Sequence, residues 1–157
     1  MQAIMLAAGI GQRLFGGDMM AKPKSLLEFG GKTLIERHLA TMKSVGITRL
    51  TLVVGYHADE IRDTIGKVDH EGFVSFVENL DYREGSAVSL WCAREILRGG
   101  DEVIFMDADV LYHPDILARL ARSGVPNCLL YDRDIEPGDE PVKICLKDGV
   151  PAEFGKI

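Results

Sequence analysis

The sequence predicts an α/β protein, a three-layer sandwich built on a mostly parallel central sheet. Short apolar runs alternate with helix-spaced amphipathic segments along the whole chain, the pattern of strands joined by crossover helices. The first run, "AIMLAA", is apolar without a break, as a strand covered on both faces must be. The most unusual loops follow the first, third and fourth runs, which places them together at the carboxyl edge of a parallel sheet, where such sheets bind ligands. These features make the expected fold Rossmann-like.

The elements follow in order. After "AIMLAA" comes a long glycine-bearing loop, and then "EFGGKT" reads as a turn leading into a helix over Thr33 to Val45. Thr33 can cap that helix with Glu36 three residues later, and Leu34, Ile35, Leu39 and Met42 recur at helical spacing. Gly46 ends it. "RLTLVVG" is the second strand, Ala58 to Ile65 a short helix, and "FVSFV" a third strand. The polar loop "ENLDYREGSA" leads into a helix over Ser86 to Leu97, with Val88, Leu90, Trp91 and Ile96 on its apolar side and Trp91 expected in the core. "EVIFMDAD" is a strand ending in acid, and Pro114 to Ala121 is a helix with proline in its first turn. "NCLLY" reads as a fifth strand, and the remainder as a hairpin turning at Asp148-Gly149.

Length and charge narrow the function. The 157 residues suit one domain over 1–157, and 46% apolar residues suffice for a core. A net charge of -6 argues against nucleic-acid and anionic-membrane partners, though not against a small anion held by a few local cations. Cys92, Cys128 and Cys145 form no CxxC, so reduced and mostly buried thiols in a cytoplasmic protein are expected. No basic region precedes the first apolar run, as a signal peptide would require. The close on "GVPAEFGKI", without a further helix, suggests a chain truncated at its C-terminus.

Two clusters carry chemistry. In "LAAGIGQRLFGGDMMAKPK", Gly9 and Gly11 follow the first strand directly, and Arg13 and Lys24 add charge. Glycines there let backbone N–H groups converge on phosphate oxygens, and a guanidinium with an ammonium suits a polyphosphate. A dinucleotide fingerprint is excluded because Leu14 stands where its third glycine belongs, and a P-loop because Leu26 stands at its first. In "VIFMDADVLYHP", Asp107 and Asp109 alternate to one side of a strand end. Two such carboxylates repel unless a cation lies between them, and Mg²⁺ fits oxygen ligands of this kind. Ribose contact and a structural hydrogen bond compete for Asp107. Gly85 would let a base approach the backbone, Ser86 can cap the helix or meet a hydroxyl, and Asn79 can read a base edge. His57, His113 and Glu153 read as surface or capping residues.

"LAAGIGQRL" followed by "KPKSLLEFGGKTLIERHL" resembles the N-terminal signature of the nucleotidyltransferases that act on sugar phosphates and phosphorylated alcohols. With "VVGYHADEI", "SLWCARE" and "DADVLYHPDIL", the chain is most similar to the phosphocholine cytidylyltransferase-like branch over nearly its whole length. The resemblance implies a nucleotide-diphospho-sugar transferase fold, catalytic Arg13 and Lys24, and Mg²⁺ at Asp109. It implies nucleotide contacts from Leu6, Ala7, Ala8, Gly9, Gly11, Asn79, Gly85, Ser86, Ala87 and Asp107, and an acceptor phosphate at Lys156. No second metal-binding aspartate of the family's kind precedes Ile157. The branch often carries an Asn-Asn turn where this chain has "REGSA", so the acceptor stays open among phosphocholine, sugar 1-phosphates, inositol phosphate and phosphonates. The expected reaction is Mg²⁺-dependent transfer of a nucleotidyl group, CMP from CTP, to a small phosphorylated acceptor with release of pyrophosphate. Two other readings remain: a glycosyltransferase using Asp107-Ala108-Asp109 as a DxD, and a non-catalytic nucleotide-sensing domain of the same fold.

Overall fold

The structure is a computed structural model that describes residues 1–11, 16, 21–134, 136, 138 and 142–155. The chain forms two compact units, Met1–Pro126 and Asn127–Ile157.

The first unit is built on a parallel sheet of β1 (Gln2–Leu6), β4 (Leu50–Val54), β5 (Val74–Glu78) and β6 (Val103–Asp107), in the order β5-β4-β1-β6. Every residue of β1 and β4 is buried, which is why both strands are apolar on both faces apart from Gln2 and Thr51. The edge strands β5 and β6 are only partly covered.

Helices close both faces. On one side α1 (Leu34–Ser44), α2 (Ala58–Val68) and α5 (Pro114–Ala121) set Ile35, Leu39, Met42, Ile61, Ile65 and Leu117 against Ala3, Met5, Leu50, Leu52 and Val54. On the other side α3 (Ser86–Cys92) and α4 (Arg94–Leu97) cover Ile4, Leu6 and Val53 with Leu90, Ala93 and Ile96. Crossing from one face to the other puts β6 on the opposite side of β1 from β4, so the sheet has its switch point between the carboxyl ends of β1 and β6.

Local chemistry explains the boundaries. A hairpin of β2 (Glu28–Phe29) and β3 (Lys32–Thr33) turns on Gly30 and Gly31, whose φ values of 56° and 74° suit glycine. Thr33 then caps α1 as expected: its Oγ1 accepts from the Glu36 N–H at 3.3 Å, and the Glu36 carboxylate accepts from the Thr33 N–H at 2.7 Å. The Thr33 hydroxyl also donates to the Glu36 carboxylate at 2.7 Å, and this bond first, then that from the Thr33 N–H, holds the Glu36 carboxyl below its ordinary pKa. His113 caps α5, accepting from the Asp115 N–H at 3.3 Å.

Four expectations are corrected. The helix over Ser86 to Leu97 is two helices, because the Ala93 N–H bonds Leu90 and the Ile96 N–H bonds Ala93, each at 3.0 Å. Such three-residue turns eclipse Leu90, Ala93 and Ile96 on one face, where all three meet the sheet. Trp91 is consequently turned outward at 60% exposure, with the Arg94 and Arg98 guanidinium groups over its ring. Residues 127–131 form no strand, and Leu129, Leu130 and Tyr131 are exposed: an apolar run becomes a strand only where a sheet edge takes its backbone. Cys92 is half-buried and Cys128 and Cys145 are exposed, rather than mostly buried, and none is in a disulfide.

The second unit holds an antiparallel hairpin, β7 (Lys143–Lys147) and β8 (Val150–Gly155). Asp148 and Gly149 turn it with φ values of 54° and 80°, the left-handed pair that Asp-Gly favours. No helix among the described residues is long and apolar enough to cross a membrane.

Candidate active site

The small residues that end β1 allow three chain segments to meet. Leu6, Ala7 and Ala8 are all buried. The Ala7 N–H donates to the Val53 carbonyl at 2.8 Å, and the Leu6 carbonyl accepts from the Ala108 N–H at 3.0 Å. The start of the glycine loop and the acidic end of β6 are therefore locked side by side at the switch point. Gly9 is exposed with open space around it, and Gly11 has the left-handed φ of 68°, a conformation that costs glycine little. The expected role of Arg13 falls outside the described residues, as does that of Lys156.

Lys24 re-enters from the far side of the loop. Fully buried Pro23 precedes it, and it opens a 3-10 turn over Lys24–Leu26 whose Leu26 is buried. With its backbone anchored, its Nζ donates to Asp109 Oδ2 at 2.7 Å. The pair is half-open, with side chains 26% and 39% exposed.

Asp107 ends β6, Ala108 turns into the protein at 1% exposure, and Asp109 follows. Burial, and then the Asp109 charge, raises the Asp107 pKa, while Lys24 opposes that rise. Among the described residues, two carboxylates thus lie beside one ammonium at the switch point. The all-oxygen donor set suits a hard divalent cation. Among the described residues no group of three or more His, Cys, Asp or Glu is close enough to cage a metal. An ion here would take its remaining oxygens from phosphate and water, which is how Mg²⁺ is commonly held.

The segment after Asp109 is tied down by a residue that sequence reasoning missed. His38 is 3% exposed on α1, and its Nδ1 lies 3.2 Å from the Tyr112 hydroxyl with the rings stacked at 5.1 Å. Burial lowers the His38 pKa and pushes that of Tyr112 up to about 12, so the pair is neutral at physiological pH. Its sequence signal is a histidine on an otherwise apolar helix face, between Ile35 and Met42.

The base-side loop differs from expectation. Asn79 is 1% exposed; its Nδ2 donates to Ser89 Oγ and its Oδ1 accepts from the Asp81 N–H, both at 2.9 Å. Its amide thus orders the loop from within, where the sequence expected it to read a base edge. Gly85, with φ 102°, occupies the position before α3, and no side chain caps that helix, so Ser86 is its exposed first residue and not its cap. Ala87 is exposed beside it. His57 stacks on Tyr56 at 4.0 Å and pairs with Glu60 at 2.5 Å, away from the acid pair at the end of β4. Glu153 is exposed on β8.

Comparison with known proteins places the chain in a family. The MobA-like NTP transferase domain matches residues 3–145. The CMP-5'-(3-aminopropyl)phosphonate synthase of Streptomyces rubellomurinus is 29% identical over 98% of this chain and 24% of its own length. The CTP:phosphocholine cytidylyltransferase LicC of Streptococcus pneumoniae superposes with a TM-score of 0.56 at 28% identity, over 73% of this chain and 49% of that one. The inositol-1-phosphate CTP transferase of T. maritima shares the fold, with a TM-score of 0.71 at 21% identity over 99% of this chain and 63% of that one. The chain thus spans between about a quarter and just under two thirds of these proteins. A parallel sheet whose switch point joins a glycine loop to an acid pair, matched across residues 3–145, makes this chain a member of the MobA-like NTP transferase domain family, within the nucleotidyltransferase superfamily.

Proposed function

We propose that the protein transfers a nucleotidyl group, CMP from CTP, to a small acceptor that carries a phosphate or phosphonate. One observation carries the reading: Lys24 from the end of the glycine loop meets Asp109 from the end of β6 at 2.7 Å, at the sheet's switch point. The preference for CTP is supported by LicC, named for that substrate, at 28% identity. The phosphonate option is supported by the Streptomyces relative.

In this reading an acceptor oxygen attacks the α-phosphorus of the triphosphate. A P–O bond forms there as the bond to the β-phosphate bridge breaks, and pyrophosphate leaves with the electron pair. The acceptor oxygen is already anionic at neutral pH, so no strong base is needed. The protein's contribution is alignment and charge placement. The N–H groups around Gly9 and Gly11 cradle phosphate oxygens. Arg13 and Lys24 neutralise charge on the transferring and leaving phosphates, Lys24 exchanging its bond to Asp109 for phosphate oxygen. Gly85, Ser86 and Ala87 form the surface for base and ribose. Asp109, with Asp107 beside it, would hold Mg²⁺, which when bound supplies positive charge to the phosphate oxygens.

The test is a pyrophosphate-release screen with the four nucleoside triphosphates against aminoalkyl phosphonates, phosphocholine, inositol 1-phosphate and sugar 1-phosphates. The expected result is Mg²⁺-dependent release with CTP and one acceptor class. Nucleotide binding without release from any acceptor would support a sensing domain instead, and release of a nucleoside diphosphate from a nucleotide sugar would support a glycosyltransferase.

A further inference from the structure

Gly55 and Tyr56 follow β4 and belong to neither cluster that the sequence singled out, yet they touch both ends of the glycine loop. The Tyr56 N–H donates to the Ala8 carbonyl at 3.1 Å, where the loop begins. The Tyr56 hydroxyl donates to the Ala21 carbonyl at 2.9 Å, where the loop returns, three residues before Lys24. The ring between these bonds is 3% exposed. One rigid residue therefore sets the distance between the two ends of the phosphate-loop segment.

The same corner also holds the base-side loop. A Cβ on Gly55 would lie 2.7 Å from Tyr82 Cβ, 2.9 Å from the Asn79 carbonyl oxygen and 3.0 Å from Ala8 Cβ, so only a residue without a side chain lets the three segments touch. The Tyr56 and Tyr82 rings lie 6.4 Å apart at 59°. The Asn79 N–H completes the contact by donating to the Val54 carbonyl at 2.8 Å.

We infer that Tyr56 is a positioning residue for triphosphate binding: its hydroxyl clasps Ala21 at a fixed span from Ala8, so that Gly9 and Gly11 on one side and Lys24 on the other are placed before the nucleotide arrives. This rests on the nucleotide-binding reading proposed above. Preorganisation of this kind appears in affinity, because a loose loop must be ordered at the moment of binding. Turnover of the bound complex depends on the charges of Lys24 and its partners, whereas the Tyr56 hydroxyl bonds an uncharged backbone carbonyl, that of Ala21.

Tyr56→Phe removes the hydroxyl alone and keeps the buried ring. In hydrogen exchange on the nucleotide-free chain, amides of residues 9–11, 21, 22 and 24 should exchange about fivefold faster, as the loss of one hydrogen bond implies, while those of α1 stay at the wild-type rate. Titration with Mg-CTP should show about fivefold weaker binding and, once an acceptor is known, a raised KM with kcat close to wild type. Unchanged exchange at both ends of the loop overturns the clasp. Faster exchange with unchanged CTP affinity, or a loss confined to kcat, overturns its link to the nucleotide. If wild-type protein binds none of the four triphosphates, the proposed function fails, and the exchange result still decides the clasp.

Discussion

The two sides of the β1 carboxyl end are built from opposite materials. Toward β6 the contact is charged and half-open: Lys24 and Asp109, with Asp107 close enough for their charges to act on its carboxyl. Toward β4 it is neutral and largely buried: half-buried Gly55 against Ala8, Asn79 and Tyr82, and buried Tyr56 bonded to Ala8 and Ala21. An exposed ion pair contributes about 0–1 kcal/mol to stability, whereas a buried backbone contact without room for a methyl group is intolerant of change. The comparison teaches that charge is displayed on one side and shape is stored on the other. Substitutions should therefore separate turnover from stability.

The largest effect is expected on the charged side. Lys24→Ala should lower kcat about a hundredfold, the scale for losing one group that stabilises transition-state charge, while the melting temperature changes little. Steady-state kinetics and a thermal melt on the same preparation check both halves, and wild-type turnover would remove Lys24 from the catalytic side. Next comes Gly55→Ala on the buried side, where the added methyl should cost about 1–3 kcal/mol of stability, read as a lower urea midpoint. A wild-type midpoint would show that the Tyr82 and Asn79 contacts yield freely and that the two sides do not differ as described.

Thr33→Ala sharpens the comparison from outside both regions. Losing the capping box of α1 should cost about 1 kcal/mol with CTP affinity unchanged, because the cap touches neither cluster; a parallel loss of affinity would mean that the sites respond to any destabilisation. The smallest effect concerns His38. Its folded-state pKa is lowered from 6.5 by burial, so as pH falls through about 6.5 the unfolded chain takes up a proton before the folded one. Stability is fully present above that value and declines as pH drops toward the folded pKa. His38→Gln, which cannot titrate, should give a shallower fall in urea midpoint between about pH 7.5 and 5.5. An identical slope would show that His38 does not contribute to the pH dependence.

How much of this was legible in the sequence depends on the range of the interaction. The Thr33–Glu36 box and the Asp148-Gly149 turn were read correctly because each needs only neighbours along the chain. Asn79 was read as a base contact because a polar residue in a polar loop looks available, and only Ser89 and Asp81 show that its amide is used inside. Trp91 was assigned to the core by uniform helical periodicity, which fails where two three-residue turns at Ala93 rotate the face. Tyr56 carried no signal, since an aromatic after an apolar strand looks like ordinary core.

By itself the sequence determined the alternation of strands and helices, the buried character of β1, and the kinds of charge at the two strand ends. Those follow from apolar spacing and side-chain type, which are properties of the chain read locally. Only the tertiary structure decided that Lys24 and Asp109, 85 positions apart, meet at 2.7 Å, and that one tyrosine bonds both ends of the glycine loop. The physical reason is the strand order: placing β1 between β4 and β6 brings segments distant in the chain to one sheet edge, and no periodicity records which strands are neighbours.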